Sequence, residues 1–235
     1  VPEIADAVRR RLDDGRRAAM ERRGDEMRAR IAGEREALAA KARADAGKSP
    51  VQALALLEAI GRTLPRDAVV IEEALSSAGG IRNLIRSDDP QSLFGLRGGG
   101  IGWGLPAAVG AKVALPDRPV VAIVGDGSAM YSCQALWTAA RYRLGVVFVI
   151  LNNSSYRILK QRVSALRGHA AQTGTFVGMD LEDPAIQFQS LARAMGVPAH
   201  HAGTVADATD LIAAAIAQGG PALVEVTLDR SLGIG

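Results

Sequence analysis

The sequence predicts an α/β fold: a doubly wound parallel sheet with helices on both faces, preceded by a long charged helical segment. Three observations carry that prediction. From Pro50 onward, short apolar runs alternate with stretches of helical pattern. Runs such as "PVVAIVG" and "VVFVILN" are apolar almost throughout, as strands of a sheet covered on both faces are. The chain has 235 residues and is 48% apolar, enough for one large domain with a real core.

Residues 1 to about 46 are dominated by Ala, Arg, Glu and Met, which favour helix. Ile4, Val8, Leu12, Met20, Met27, Ile31 and Leu38 make a thin stripe at helical period, with Gly15, Gly24 and Gly33 as the expected breaks. Residues 1–48 are therefore expected to be a helical linker from an upstream domain, and 49–235 the domain proper. "GKSP" (47–50) marks the boundary. It is not a phosphate-binding P-loop, because the motif's first glycine falls on Ala42 and no strand precedes it. Next come a helix at 50–61, a strand at 68–73, a helix at 77–86 and a short strand at 92–96. A small-residue helix is expected at 102–115, a strand at 119–125, an amphipathic helix at 132–144 and a strand at 146–152. Residues 164–182 have the character of a mobile lid. Asp183-Pro184 opens a helix over 183–196. A short strand after "PAHHAG", the helix "VADATDLIAAAIAQG" and the strand "PALVEVTL" complete the pattern.

The net charge of +3 is local. Residues 1–48 hold 13 Lys and Arg against 10 Asp and Glu, and the rest hold 15 against 15. The body is neutral and the acids are interleaved, so no nucleic-acid partner is expected. The longest apolar run, "GVVFVIL", is strand-sized, so no membrane partner is expected either. Cys133 is the only cysteine, which excludes an internal disulfide and suits a reducing, cytoplasmic location. The chain begins at Val1 rather than Met and is expected to be a piece of something longer.

Two strand ends carry unusual chemistry: Gly125-Asp126-Gly127-Ser128 and Asn152-Asn153-Ser154-Ser155. In a doubly wound sheet, ligands sit beyond the carboxyl ends of the strands. Asp126, the Asn153 amide and the Ser155 carbonyl offer three oxygens to a hard cation such as Mg²⁺, and a diphosphate supplies more. Gly125 and Gly127 let the backbone approach, and Ser128 and free amides suit phosphate oxygens. Alone, "GDGS" reads sooner as a helix cap and the asparagines as a turn; together, at adjacent strand ends, they suit a metal-bridged diphosphate.

This pairing resembles the thiamine diphosphate motif, GDG followed by about 25 residues and NN. Over roughly residues 49–228 the chain is similar to the C-terminal, diphosphate-binding domain of the 2-oxo-acid decarboxylase and acetolactate synthase superfamily. The look is nearest benzoylformate decarboxylases, on "GDGSAMYSCQALWTAARYRLGVVFVILNNSSY". The resemblance implies thiamine diphosphate and Mg²⁺ as cofactors. It implies Asp126, Asn153 and the Ser155 carbonyl as metal ligands and Ser128 as a diphosphate contact. Gly99 would accept from the cofactor's 4'-amino group, Ile101 would hold the cofactor bent, and Tyr131 and Tyr156 would lie near the reaction pocket. Leu159 would line the substrate pocket, and Ser76 would touch the diphosphate. The implied activity is decarboxylation of a 2-oxo acid; an acetolactate synthase-like carboligase and a non-catalytic binding module are the alternatives. The family's catalytic glutamate belongs to an N-terminal pyrimidine-binding domain of a neighbouring subunit, so no catalytic residue is expected here. The implied partners are that domain and further copies, as a homodimer or homotetramer. Arg157, Lys160 and Arg162 suit either an acidic or CoA-linked substrate or, as the preferred reading, a solvent-facing helix. His169, His200 and His201 are read as surface or structural.

Overall fold

The computed structural model describes residues 2–85 and 87–232; Val1, Arg86 and residues 233–235, each at the edge of a segment delimited above, lie outside it. Six strands form one all-parallel sheet: β1 (Val69–Glu73), β2 (Leu93–Gly95), β3 (Val120–Gly125), β4 (Val146–Asn152), β5 (Ala199–Ala202) and β6 (Ala222–Thr227). Their order is β2-β1-β3-β4-β6-β5. The chain moves outward from β1 to β2, then returns past β1 to β3. The strand order therefore reverses at the β1/β3 pair, where open parallel sheets form a crevice.

Strand side chains alternate between two cores, as the period of two requires. Val70, Val121, Ile123, Val147, Val149 and Val224 pack beneath α3 (Ala53–Thr63) and α11 (Val205–Gln218). Ile71, Val120, Ala122, Val124, Phe148 and Ile150 pack beneath α5 (Gly104–Ala114), α7 (Gln134–Arg141) and α10 (Phe188–Ala194). Both faces are covered, which is why the strands carry so few polar residues.

Several boundaries differ from expectation. The N-terminal segment is two helices, α1 (Pro2–Arg11) and α2 (Asp14–Ala44). Gly15, Gly24 and Gly33 all lie inside α2 rather than breaking it. The break falls at Leu12-Asp13, where the Asp13 carboxylate accepts from the Arg16 amide at 2.8 Å and caps α2. The apolar stripe is left uncovered: Ile4, Val8, Met20, Met27 and Ile31 are exposed, and Ala42 is the one buried residue of α2. The helix expected at 77–86 shrinks to a 3-10 turn (Leu75–Ser77) and one turn, α4 (Ile81–Leu84). The helix expected from Asp183 starts at Phe188, because Asp183 takes a left-handed φ of 58° that no helix entry uses. The remaining helices are α6 (Asp126–Ala129), α8 (Arg157–Ala165) and α9 (His169–Thr173). Among the described residues, no helix is long and apolar enough to cross a membrane.

Candidate functional site

The β1/β3 crevice opens into a cavity of about 220 Å³ at the carboxyl ends of β1, β3 and β4. Parallel pairing sets Gly125 beside Leu151, so the chains beyond them leave the sheet together. One wall is the whole of "GDGS", Gly125 to Ser128; another is the start of α8, with Ser155, Tyr156 and Leu159. Ser76, Ile101 and Tyr131 also line it. Thus ten of the twelve residues singled out from the sequence meet at one cavity. Asn153 lies behind this lining, buried, with its Oδ1 accepting from the Ser155 hydroxyl at 3.0 Å. Gly99 lies in the glycine-rich loop, in a left-handed conformation, and is not part of the lining.

The two asparagines separate in role. Asn152 makes the turn: its Oδ1 accepts from the Ser154 amide at 2.9 Å, and its Nδ2 donates to Glu225 at 2.7 Å. Ser154 is thereby held at a φ of 52°, a left-handed conformation unusual outside glycine. This turn aims Asn153 and Ser155 at the end of β3.

Asp126 is 2% exposed. Its Oδ1 accepts from the Gly127 amide at 2.9 Å, while its Oδ2 has no hydrogen-bond partner among the described residues. Burial pushes its carboxyl up to about 6, against the pull of the Gly127, Ser154, Ser155 and Asn153 amides. A buried acceptor without a partner costs free energy. At the neighbouring strand end the Asn153 amide oxygen and the Ser155 hydroxyl are bonded to each other. That oxygen-rich set, with a single carboxylate, suits a hard octahedral cation that keeps some ligand positions for a bound anion. The residues present therefore fit Mg²⁺ carrying a diphosphate.

The close approaches explain two glycines. A Cβ on Gly127 would stand 2.6 Å from the Tyr156 ring, and one on Gly102 would stand 2.5 Å from the Tyr131 Cβ, at a φ of 92°. Burial and then the neighbouring Tyr131 push the Tyr156 phenol above its ordinary value.

Glu73, given no role in the sequence analysis, holds the loop that carries Ile101. It is fully buried at the end of β1. Its carboxylate accepts from the Gly102 amide at 2.7 Å and the Gly104 amide at 2.5 Å. The signal was present: an acid closing an apolar strand needs donors, and a glycine run supplies exposed amides.

Arg157 corrects the solvent-facing reading of the first turn of α8. It is 8% exposed and lines the cavity. Its Nε donates to the Ser76 hydroxyl at 3.2 Å, one terminal nitrogen to the Ser77 hydroxyl at 2.8 Å, and the other to the Asp229 carbonyl at 3.0 Å. Lys160 is also drawn in, paired with Asp180. Arg162 alone of the three is exposed. The 164–182 segment folds partly as α9 and is tied to the site by backbone bonds, Tyr156 to Met179 at 2.9 Å and Leu181 to Ser154 at 2.8 Å. His169 begins α9 rather than lying in irregular chain, and His200 and His201 are exposed on β5, His201 with its Nε2 2.9 Å from the Thr227 hydroxyl. A larger groove between α2 and α3 is lined by Arg43, Arg62, Glu36 and Glu58, which neutralise one another in ion pairs.

Comparison with known proteins agrees with this geometry. Residues 76–226 match the family model for the thiamine pyrophosphate enzyme, C-terminal TPP binding domain. Benzoylformate decarboxylase of Pseudomonas aeruginosa is 38% identical over 177 residues, covering 75% of this chain and 32% of that protein. Acetolactate synthase isozyme 1 large subunit of Escherichia coli is 33% identical over 131 residues, covering 56% of this chain and 22% of that one. Among solved structures, the thiamine diphosphate-dependent 4-hydroxybenzoylformate decarboxylase of Rhodococcus jostii RHA1 superposes with a TM-score of 0.70 at 35% identity, covering 78% of this chain and 34% of that one. The chain thus spans about a third or less of the length of these relatives. With the family model covering well over half of its residues, and the family's motif residues gathered at one crevice, the chain belongs to the thiamine pyrophosphate enzymes as their C-terminal TPP-binding domain.

Proposed function

We propose that the chain anchors thiamine diphosphate and Mg²⁺ in a lyase that decarboxylates 2-oxo acids, and that it is inactive alone. The observation that carries this is the Asp126 Oδ2, buried without a partner at the strand end nearest Asn153 and Ser155. Asp126, Asn153 and the Ser155 carbonyl would hold the metal. Ser128 and the first turn of α8, which no side chain caps, would receive the diphosphate. Bound in this way, the cofactor supplies the electron sink for decarboxylation. The chain's own residues bind the diphosphate, hold the glycine-rich loop through Glu73, and set Ile101, Tyr131 and Tyr156 around the cavity. Gly99, in the same loop, would meet the cofactor's aminopyrimidine once the cofactor is seated. Leu159 would face the substrate. Residues 1–48 would be the linker from upstream domains, and the catalytic glutamate would come from a pyrimidine-binding domain outside this chain.

Calorimetric titration with thiamine diphosphate, with Mg²⁺ and then with EDTA, tests the anchoring role. The expected result is Mg²⁺-dependent heat that disappears in Asp126→Ala. Heat that survives that substitution would place the metal elsewhere. Decarboxylation of benzoylformate or pyruvate by the chain without any partner would overturn the claim of inactivity. The similarity to acetolactate synthase favours carboligation as a second reading. Product analysis of the chain supplemented with an upstream domain separates an aldehyde from an acyloin.

A further inference from the structure

Arg157 presents an electrostatic anomaly. It is the first residue of α8, where the helix end already carries about half a positive charge. A cation there is disfavoured, and a buried one more so. None of its three bonds goes to a carboxylate: two serine hydroxyls and one carbonyl take them. No salt bridge to it is present among the described residues. A guanidinium has five N–H donors, so both terminal nitrogens keep one N–H free. The Asp229 carboxylate and, more weakly, Asp126 attract the guanidinium without bonding to it; Asp126 is the acid that lines the cavity, and a metal would more than cancel its charge. With a divalent cation in place, the crevice would hold an excess of positive charge, which the charge of a diphosphate ester offsets.

We propose that Arg157 is an oxyanion anchor of this cavity, binding the diphosphate directly while it holds the Ser76 hydroxyl at the same end. This rests on the cavity being a diphosphate site. Three segments far apart in sequence hold the guanidinium: the 75–77 turn, α8 and the chain at Asp229. It is therefore preorganised for bidentate contact, and the flexible ammonium of a lysine would not replace it fully.

The test uses the whole chain, Mg²⁺ and inorganic pyrophosphate, all of whose proposed contacts lie within this chain. Calorimetry on Arg157→Met is expected to show affinity weaker by about tenfold or more, with Arg157→Lys between it and the wild type. Binding by a folded Arg157→Met within about twofold of the wild type overturns the anchor and leaves the diphosphate site standing. No binding by the wild type removes the diphosphate site and the anchor with it. Because Arg157→Met removes three internal bonds and risks unfolding, a second readout uses the native side chain. In wild-type protein labelled with ¹⁵N-arginine, the Arg157 Nε–H resonance is expected to shift on adding Mg²⁺-pyrophosphate and to stay put on adding pyruvate. A shift with pyruvate alone would assign the guanidinium to a substrate carboxylate and overturn the proposal.

Discussion

The Asp126 carboxylate is shielded from water while its second oxygen lacks a partner, so its cost depends on its charge. Its ordinary value is 3.8 and burial raises it to about 6. The native state therefore holds this proton more tightly than the unfolded chain. Its contribution to stability is complete below about pH 4 and is lost as pH rises through about 6. At 1.36 kcal/mol per unit, the loss is about 3 kcal/mol. In EDTA, the melting temperature of the wild type is expected to fall between about pH 4 and pH 6 relative to Asp126→Asn, in which this transition is absent. Parallel curves for the two proteins would contradict the burial of a charge here. Mg²⁺ with thiamine diphosphate is expected to reverse the ranking above pH 6, because only the wild type offers the metal an anionic oxygen.

At the scale of elements, the glycine-rich loop depends on one side chain. Glu73 takes both the Gly102 and Gly104 amides, one on each carboxylate oxygen. Glu73→Gln turns one acceptor into a donor facing an amide N–H. Loss of a charge-assisted buried bond is expected to cost about 1.5–3 kcal/mol, read as a lower urea midpoint with the slope unchanged. An unshifted midpoint would mean that the loop holds itself. Gly102→Ala is expected to displace Tyr131 and, with it, to weaken cofactor binding more than stability. The same scale shows why some of the site was legible in the sequence and some was not. "GDGS" and "NNSS" follow apolar strands separated by one helix, so local pattern alone places them side by side. The fate of Arg157 is decided by Ser76, Ser77 and Asp229, more than 70 residues away, and local charge pattern predicts the opposite of its burial. The start of α10 is a backbone matter: Asp183-Pro184 has the composition of a helix entry, but the left-handed φ of Asp183 keeps it out of the helix, which starts at Phe188. In α2 the capping aspartate sets where the helix starts, and the three glycines, each costing about 1 kcal/mol, weaken the helix without breaking it.

At the scale of the molecule, the sheet is closed on both faces but the surface is not. Within residues 130–142, four large apolar side chains stay exposed: Met130, Tyr131, Trp137 and Tyr142, with Trp137 at 57%. Tyr131 also lines the cavity, so a partner seated on this stretch would border the site. Burying large aromatic side chains yields about 150–250 Å² each. The three aromatics among them, each already partly covered by its own chain, supply the centre of an interface but fall short of the roughly 800 Å² per partner that a stable one needs. The exposed apolar face of α1 and α2 adds a second uncovered surface. Such a chain is expected to self-associate through the 130–142 stretch. Sedimentation velocity is expected to show a dimer for the wild type at tens of micromolar and a monomer for Trp137→Glu. The melting temperature of the monomeric variant is expected to lie close to that of the wild type when both are compared at low concentration, because Trp137 contributes little to the core of its own chain. A wild type that stays monomeric at about 100 µM, well above typical dissociation constants for an interface of this size, would leave that aromatic stretch to a different chain.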